Sequence, residues 1–353
     1  MTRVLVVATG RKTRGGITSV VKAHETGEQW RKFHCHWVQT HRDGAAWRKI
    51  WYFATSLVDF MVRLPFYDIV HIHFSSDLSA MRKMVFFRMA KLPGKRVVVH
   101  FHSCSAEKTI HGKRRYLYEC LFSKADRVIA LSEYWQKEIC DEFGLSKEKV
   151  VVVYNPCPVI GADTHEVAKE KTILYAGTVN ERKGYADMIR AFAKIAARFP
   201  DWRIVFAGNG EVEQGKALAR ELGIENQTVF LGWVSGDDKD RAFRSATLFC
   251  LPSYAEGFPM AVLDAWAYGL PVITTPVGGI PDVAMDGENM LLFEPGDIGR
   301  LAEQMERMIS DSTLREMIAR ASVDFARKEF NIQTINREIG EMYSSFGTRS
   351  EGN

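Results

Sequence analysis

The chain has 353 residues, a length that suits two domains better than one. Apolar residues make up 46% and charged residues 25%, a balance that excludes disordered and fibrous classes. The net charge of +4 conceals a split: residues 1–165 hold 26 Lys/Arg against 15 Asp/Glu, a balance of +11, which leaves −7 for the remainder. A basic half joined to an acidic half predicts lobes with different partners, and nucleic acid and an anionic membrane surface are the candidates for the basic one.

In chain order, Met1-Thr2-Arg3 before the apolar run Val4–Ala8 is too short for a signal peptide and predicts a first buried strand. Gly15-Gly16 then opens a helix, where glycine lets a phosphate approach backbone N–H groups. It is not a full G-x-G-x-x-G, and no acidic residue stands about 20 positions later, which counts against an NAD enzyme. His-x-His pairs at 34/36, 71/73 and 100/102 each lie on one face of a strand. A zinc site is conceivable there, but histidines at strand ends without acidic or cysteine ligands at short spacing are the plainer reading. Apolar residues at 47, 50, 51, 54, 57, 58 and 61 mark a helical stripe over Trp47 to Arg63, widened by Phe53 and Phe60. Further basic-aromatic stretches follow at Met81–Arg88 and Lys113–Tyr118. Core packing explains part of their apolar content, and docking on anionic lipid is the alternative. No stretch reaches the roughly 18–20 uncharged apolar residues of a spanning helix.

Strands are expected at Arg3–Ala8, Cys35–Thr40, Ile69–Phe74, Val97–His102, Val128–Leu131 and Val150–Tyr154. A second set is expected at Thr172–Ala176, Arg203–Ala207, Val229–Leu231, Leu248–Leu251, Val272–Thr274 and Met290–Phe293. Helical segments such as Tyr185–Phe199 and Pro259–Tyr268 alternate with them, the pattern of parallel sheets with crossover helices. The pattern lapses at Asn155-Pro156-Cys157-Pro158 and the polar stretch to Lys171. Two doubly wound α/β domains follow, 1–158 and 159–330, with a last helix over about 331–353 expected to return to the first. Ligands of such sheets bind outside the carboxyl ends of the strands. The six cysteines contain no C-x-x-C pair and read as free thiols of a reducing compartment, so the location should be cytoplasm.

The chemistry concentrates in Pro252-Ser253-Tyr254-Ala255-Glu256-Gly257-Phe258-Pro259 and the helix after it, which carries Asp264. A carboxylate suits vicinal ribose or sugar hydroxyls because it accepts two O–H bonds. Compensation of a helix dipole by Glu256 and a solvated face for Asp264 are the plain alternatives. Asp238-Lys239-Asp240 is the only D-x-D and reads as an acidic first turn of a helix. Arg182-Lys183-Gly184 precedes a helix and suits stabilisation of a leaving diphosphate without a metal; an exposed basic turn is the alternative.

The Glu256–Asp264 block resembles the E-x7-E region of glycosyltransferase family 4, retaining enzymes of the GT-B fold. The resemblance runs through Gly15-Gly16, Gly177 with Arg182-Lys183-Gly184, Phe206-Ala207-Gly208-Asn209-Gly210, Phe230-Leu231-Gly232 and Val277-Gly278-Gly279-Ile280-Pro281. It departs at Asp264, one methylene shorter than glutamate, and at Thr178, where arginine is frequent. The resemblance implies two Rossmann-like domains facing across a cleft, with an acceptor-binding first domain. The donor, a nucleotide sugar with UDP as the expected nucleotide, is implied to meet Gly15, Gly16, Gly177, Thr178, Arg182, Lys183, Gly208, Phe230, Glu256, Gly257, Phe258, Pro259 and Asp264. The implied catalytic residues are Glu256, Arg182, Lys183 and a histidine matched by His102, with His100 as the alternative. No cofactor or metal is expected. The acceptor is expected to be a lipid-linked saccharide for surface polysaccharide, on the inner face of the cell membrane, with no nucleic-acid partner. A soluble acceptor, a sugar-nucleotide epimerase and an inactive binding module are the other readings.

Overall fold

Each apolar run named above becomes a strand in the computed structural model, which describes residues 2–160 and 167–346. The chain divides into two compact units, Met1–Pro156 with Phe330–Asn353, and Cys157–Glu329. Part of the expected hinge, residues 161–166, and residues 347–353 of the segment expected as a last helix lie outside the described residues.

The first unit runs β1 (Val4–Ala8), α1 (Gly16–Glu25), α2 (Glu28–Lys32), β2 (His36–Gln39), α3 (Ala46–Arg63), β3 (Ile69–Phe74), α4 (Asp77–Lys91), β4 (Arg96–Phe101), α5 (Arg115–Lys124), β5 (Arg127–Ala130), α6 (Glu133–Phe143) and β6 (Val150–Val152). The second runs β7 (Thr172–Ala176), α7 (Tyr185–Ala193), β8 (Arg203–Ala207), α8 (Val212–Glu221), β9 (Thr228–Gly232), α9 (Asp237–Ser245), β10 (Leu248–Leu251), α10 (Met260–Ala267), β11 (Val272–Thr274), β12 (Leu291–Leu292), α11 (Ile298–Ser310) and α12 (Ser312–Glu329). The last helix, α13 (Ile332–Ser345), belongs to the first unit. The helix expected over Tyr185–Phe199 stops at Ala193, and a short 3-10 turn, Ala196–Arg198, follows.

Each unit holds a six-stranded sheet, ordered β2-β1-β3-β4-β5-β6 in the first and β12-β11-β10-β7-β8-β9 in the second, and the pairings are parallel. Helices on both faces explain why β1 and β3 are buried at every position and read as continuous apolar runs. In the first unit, one sheet face packs Leu5, Val7, Ile72 and Val99 with Phe60, Phe86 and Phe122. The other packs Val4, Val6, Ile69 and Val98 with Ile335, Ile339 and Tyr343 of α13. Chain order reverses between β1 and β3 in the first sheet and between β7 and β10 in the second. Those reversals place the ligand crevices of such sheets.

Candidate active site

The loops after β7 and β10 flank the reversal of the second sheet, and they carry Gly177 to Gly184 and Pro252 to Pro259. Here the backbones that leave β7, β8 and β10 approach so closely that several positions admit only glycine. Gly177 has φ +148°, and its N–H donates to the Ala207 carbonyl at 3.1 Å. A Cβ on Gly208 would lie 1.7 Å from the Gly177 carbonyl oxygen. Gly184 has φ +67°, and a Cβ there would come within 1.9 Å of the Pro252 oxygen.

This contact presses the Arg182-Lys183 turn onto the Glu256 loop. Tyr254 N–H donates to the Arg182 carbonyl at 2.8 Å, and the Arg182 guanidinium donates to the Ala255 carbonyl. Lys183 Nζ donates to Glu256 Oε1 at 2.7 Å, and Ser253 Oγ donates to the same oxygen at 2.8 Å. Arg182 Nη1 stands 3.5 Å from it. Burial pushes the Glu256 carboxyl up, but Lys183 and Arg182, with the hydrogen bonds from Lys183 and Ser253, outweigh it and hold the group below its usual range. Glu256 is therefore an ionised, buried carboxylate carrying two cations. Lys183 is largely buried, so the turn is not the exposed basic turn that the sequence alone left open.

Gly177, Arg182, Lys183, Gly208 and Glu256 thus come together, and Gly257 joins them by accepting from Gly279 N–H at 2.8 Å. Thr178 is exposed, and its carbonyl accepts from the Tyr175 hydroxyl at 2.7 Å. Phe258 is buried, and Pro259 caps α10. Phe230 stacks on Phe206 at 4.8 Å and fills the space over Gly215, so packing accounts for much of its surface.

Asp264 is buried rather than on a solvated face, and its carboxylate lies 2.7 Å from Lys239 Nζ. Burial raises its affinity for a proton, and Lys239 opposes that without cancelling it. The first turn of α9 holds Asp237, Asp238 and Asp240, the acidic helix start that the sequence predicts. Asp240 is engaged by Arg244 at 2.6 Å and by the Tyr268 hydroxyl at 2.8 Å. Sequence reasoning missed Lys239 and Ser253 as partners of the two acidic residues. Lys239 stood in plain sight inside the D-x-D, read only for its carboxylates.

In the first unit, Gly15 caps α1 with φ +138° and nothing within 4 Å of where its Cβ would stand, so a ligand could approach the first turn. His102 follows β4 and is half-buried, whereas His100 lies within the strand at 1% exposure. Of the two, His102 is the one within reach of solvent. His73 Nδ1 lies 3.0 Å from His102 Nε2, and burial lowers the His102 pKa to about 3, so the ring is neutral. His71, His73 and His100 bring ring nitrogens within 4.8 Å of one another. Their rings lie face to face, at 9° to 33° between planes, so the in-plane lone pairs run side by side and do not converge on one ion.

Two adjoining family descriptions match almost the whole described chain: "Glycosyltransferase Family 4" over residues 4–159 and "Glycosyl transferases group 1" over residues 161–324. An uncharacterised glycosyltransferase of Methanocaldococcus jannaschii is 28% identical over 62% of this chain and 59% of its own length. The lipopolysaccharide 1,6-galactosyltransferase of Salmonella typhimurium is 31% identical over 54% of each chain. The chain thus spans between about half and three-fifths of the length of these curated relatives. The crystal structure of Anabaena Alr3699/HepE in complex with UDP superposes with a TM-score of 0.75 at 20% identity, covering 98% of this chain and all of the other, and shares its fold, GT-B. With both halves matched in order, the chain belongs to the family 4 glycosyltransferases.

Proposed function

We propose that the chain transfers a sugar, with retention of configuration, from a nucleoside diphosphate donor to a saccharide acceptor carried on a membrane lipid. The observation that carries the reading is the Arg182-Lys183 turn locked onto the buried Glu256 at the strand reversal of the second sheet. UDP is the proposed nucleotide, since HepE was crystallised with UDP and with UDP-glucose. Relatives named for lipopolysaccharide and capsular polysaccharide support a role in surface polysaccharide, and a place at the inner face of the cell membrane follows from such an acceptor.

In this reading the bond between the sugar's anomeric carbon and the diphosphate oxygen breaks, and charge gathers on that oxygen. Arg182 and Lys183 stabilise it, doing the work a divalent cation does elsewhere. The acceptor oxygen bonds to the anomeric carbon on the face the diphosphate leaves, and its proton passes to the departing phosphate. Glu256 orients sugar hydroxyls with its free oxygen, and Asp264 holds the ribose hydroxyls. Neutral His102 offers a hydrogen bond to the sugar rather than an exchangeable proton. Gly15, Gly16, Gly177 and Gly208 let the donor lie against backbone.

The test is a panel of nucleotide sugars in a thermal-shift assay, since a ligand that binds only the folded state raises the melting point. A UDP-sugar should raise it, and slow release of UDP should follow with EDTA present. No shift with any nucleotide sugar would sink the reading. Turnover that disappears on chelation and returns with Mg²⁺ or Mn²⁺ would overturn its metal-free form.

A further inference from the structure

The sequence reads the apolar stripe of Trp47 to Arg63 as core packing or lipid docking, and the fold separates the two. The inward face of α3 holds Phe53, Ser56, Leu57 and Phe60, and Phe53 and Phe60 each meet Phe86 of α4 edge-on at 5.8 and 5.1 Å. The stripe itself points away from the core. At 100° per residue, Trp47, Ile50, Trp51, Val58, Met61 and Val62 fall within one arc, and all six are exposed. Trp47 and Trp51 are 66% and 68% exposed. The surface continues past the helix through Phe66 to Leu92 at the end of α4, which is 86% exposed. An open groove of about 420 Å³ lies between Met61 and Leu92, lined also by Leu64, Met89 and Lys95. A soluble monomer seldom shows so continuous an apolar patch.

Cations border this face. The Arg48 guanidinium lies 5.1 Å over the Trp47 ring; Lys49, the next residue along the helix, and Arg88 of α4 are also exposed. The carboxylate on the helix, Asp59, is engaged by Arg63 at 2.6 Å and by His36 at 3.1 Å. The basic segment at 113–118 differs, because Arg115 is held by Glu142 at 2.7 Å and Tyr118 is buried. Paired tryptophans on an apolar face with arginine and lysine at its border match an anionic bilayer, whose interface takes indole rings and whose headgroups attract the cations. No helix among the described residues is long and apolar enough to cross a membrane.

We propose that α3, the Leu64–Phe66 turn and the end of α4 lie in the plane of an anionic phospholipid bilayer, with Trp47 and Trp51 seated at the boundary between headgroups and acyl chains. The proposal deepens the reading of a lipid-borne acceptor and rests on it for its purpose, though not for its physics. Charge alone would give docking that salt abolishes, whereas an inserted apolar face retains a salt-resistant part.

The experiment is cosedimentation of the full chain with phosphatidylglycerol vesicles and with phosphatidylcholine vesicles, at low and high salt. Wild type should bind the anionic vesicles and keep a measurable fraction at high salt. Trp47→Ser with Trp51→Ser should weaken binding by about tenfold or more at both salts, and the melting-point shift with UDP should be retained. Ile50→Gln with Val58→Gln repeats the test on residues that also leave the inward face intact. Arg48→Gln with Lys49→Gln should lose binding chiefly at low salt. Both apolar variants sedimenting like wild type would overturn the proposal. So would wild type staying in the supernatant, or a dimer in solution that these substitutions dissociate, since a second copy would then cover the face. Docking without any UDP shift would count against the functional reading and leave this one standing.

Discussion

Lys239 Nζ stands 2.7 Å from the Asp264 carboxylate, joining α9 to α10 through a residue whose burial works against its own charge. A carboxyl with a raised pKa favours the folded state below the unfolded value of 3.8, and that advantage is lost as pH rises through the folded value. At neutral pH the charge of Asp264 is therefore a burden on folding. Asp264→Asn should leave the melting point unchanged or raise it by a few degrees, because Lys239 is partly exposed and solvates readily. UDP affinity by calorimetry should nevertheless fall about tenfold, the scale of a charge-assisted hydrogen bond lost. Equal affinity would mean that the side chain does not reach the ribose.

Lys183 should behave differently. Lys183→Ala removes the 2.7 Å partner of a buried carboxylate, and losing one member of such a pair costs about 3–5 kcal/mol. Turnover should fall on the order of 10²-fold with the lost charge contact. Adding Glu256→Gln removes the stranded charge, so the double variant should regain much of the melting point and none of the turnover. In wild type, the depressed Glu256 pKa stabilises the fold above its unfolded value of 4.5 and ceases to do so as pH falls through the folded value. A Lys183→Ala protein as stable as wild type would show that the turn is not braced by the pair.

Gly208→Ala tests the close approach of the loops that follow β7 and β8. Its Cβ would meet the Gly177 carbonyl oxygen at 1.7 Å, a backbone atom that no rotamer can move aside. The substitution should lower the melting point and abolish the UDP-induced shift, because the loop must open to admit the methyl group. Gly15→Ala, with open space around it, should leave packing intact and cost about 1–2 kcal/mol through its φ of +138°.

The first unit should be acid-labile. His24, His71, His73 and His100 are buried, and burial lowers the pKa of each, to about 4 for His24; half-buried His102 falls to about 3. Facing them are Asn336 and Tyr343 of α13, with Gln29 and Cys35, and no carboxylate is among these groups. Unfolded histidine takes a proton below its ordinary 6.5, so stability is lost as pH falls through that value. Each such group contributes about 1.4 kcal/mol per pH unit. Thermal melts between pH 7 and 5 (about the range where histidine titrates) should show the first unit unfolding early, while the second holds until Glu256 titrates. Replacing His71 and His100 with Gln should flatten the dependence; parallel melting of both units would contradict it.

Fold and site differ in how much of each is legible in the sequence. Strand positions were legible because a strand buried on both faces must be apolar throughout, and Ile69–Phe74 has no other use for that composition. Glu256, Arg182 and Lys183 could be singled out one by one, since glycine and charge at strand ends mark a crevice. Their mutual hydrogen bonds could not, because they depend on how far the Gly184 backbone sinks against Pro252. A solvated face stayed open as the alternative for Asp264 because one helix turn shows its period and not the neighbour that covers it. The facing of α3 was equally hidden. Both sides of that helix are apolar, and only the contact of Phe53 and Phe60 with Phe86 decides which side turns inward.

The placement of α13 has a consequence for the order in which the protein can be made. Tyr343 donates or accepts at 2.5 Å from His71, and Asn336 meets His24 at 2.7 Å, across 272 and 312 residues of sequence. A ribosome delivers β1 to β6 first, then the entire second unit, and only then the helix that seals one face of the first sheet. Until α13 emerges, Val4, Val6, Ile69 and Val98 are covered on that side only in part, by Ile17 and Val21 of α1 and by Phe33. The second unit can reach its native state during synthesis, while the first waits with a partly open apolar face for α13.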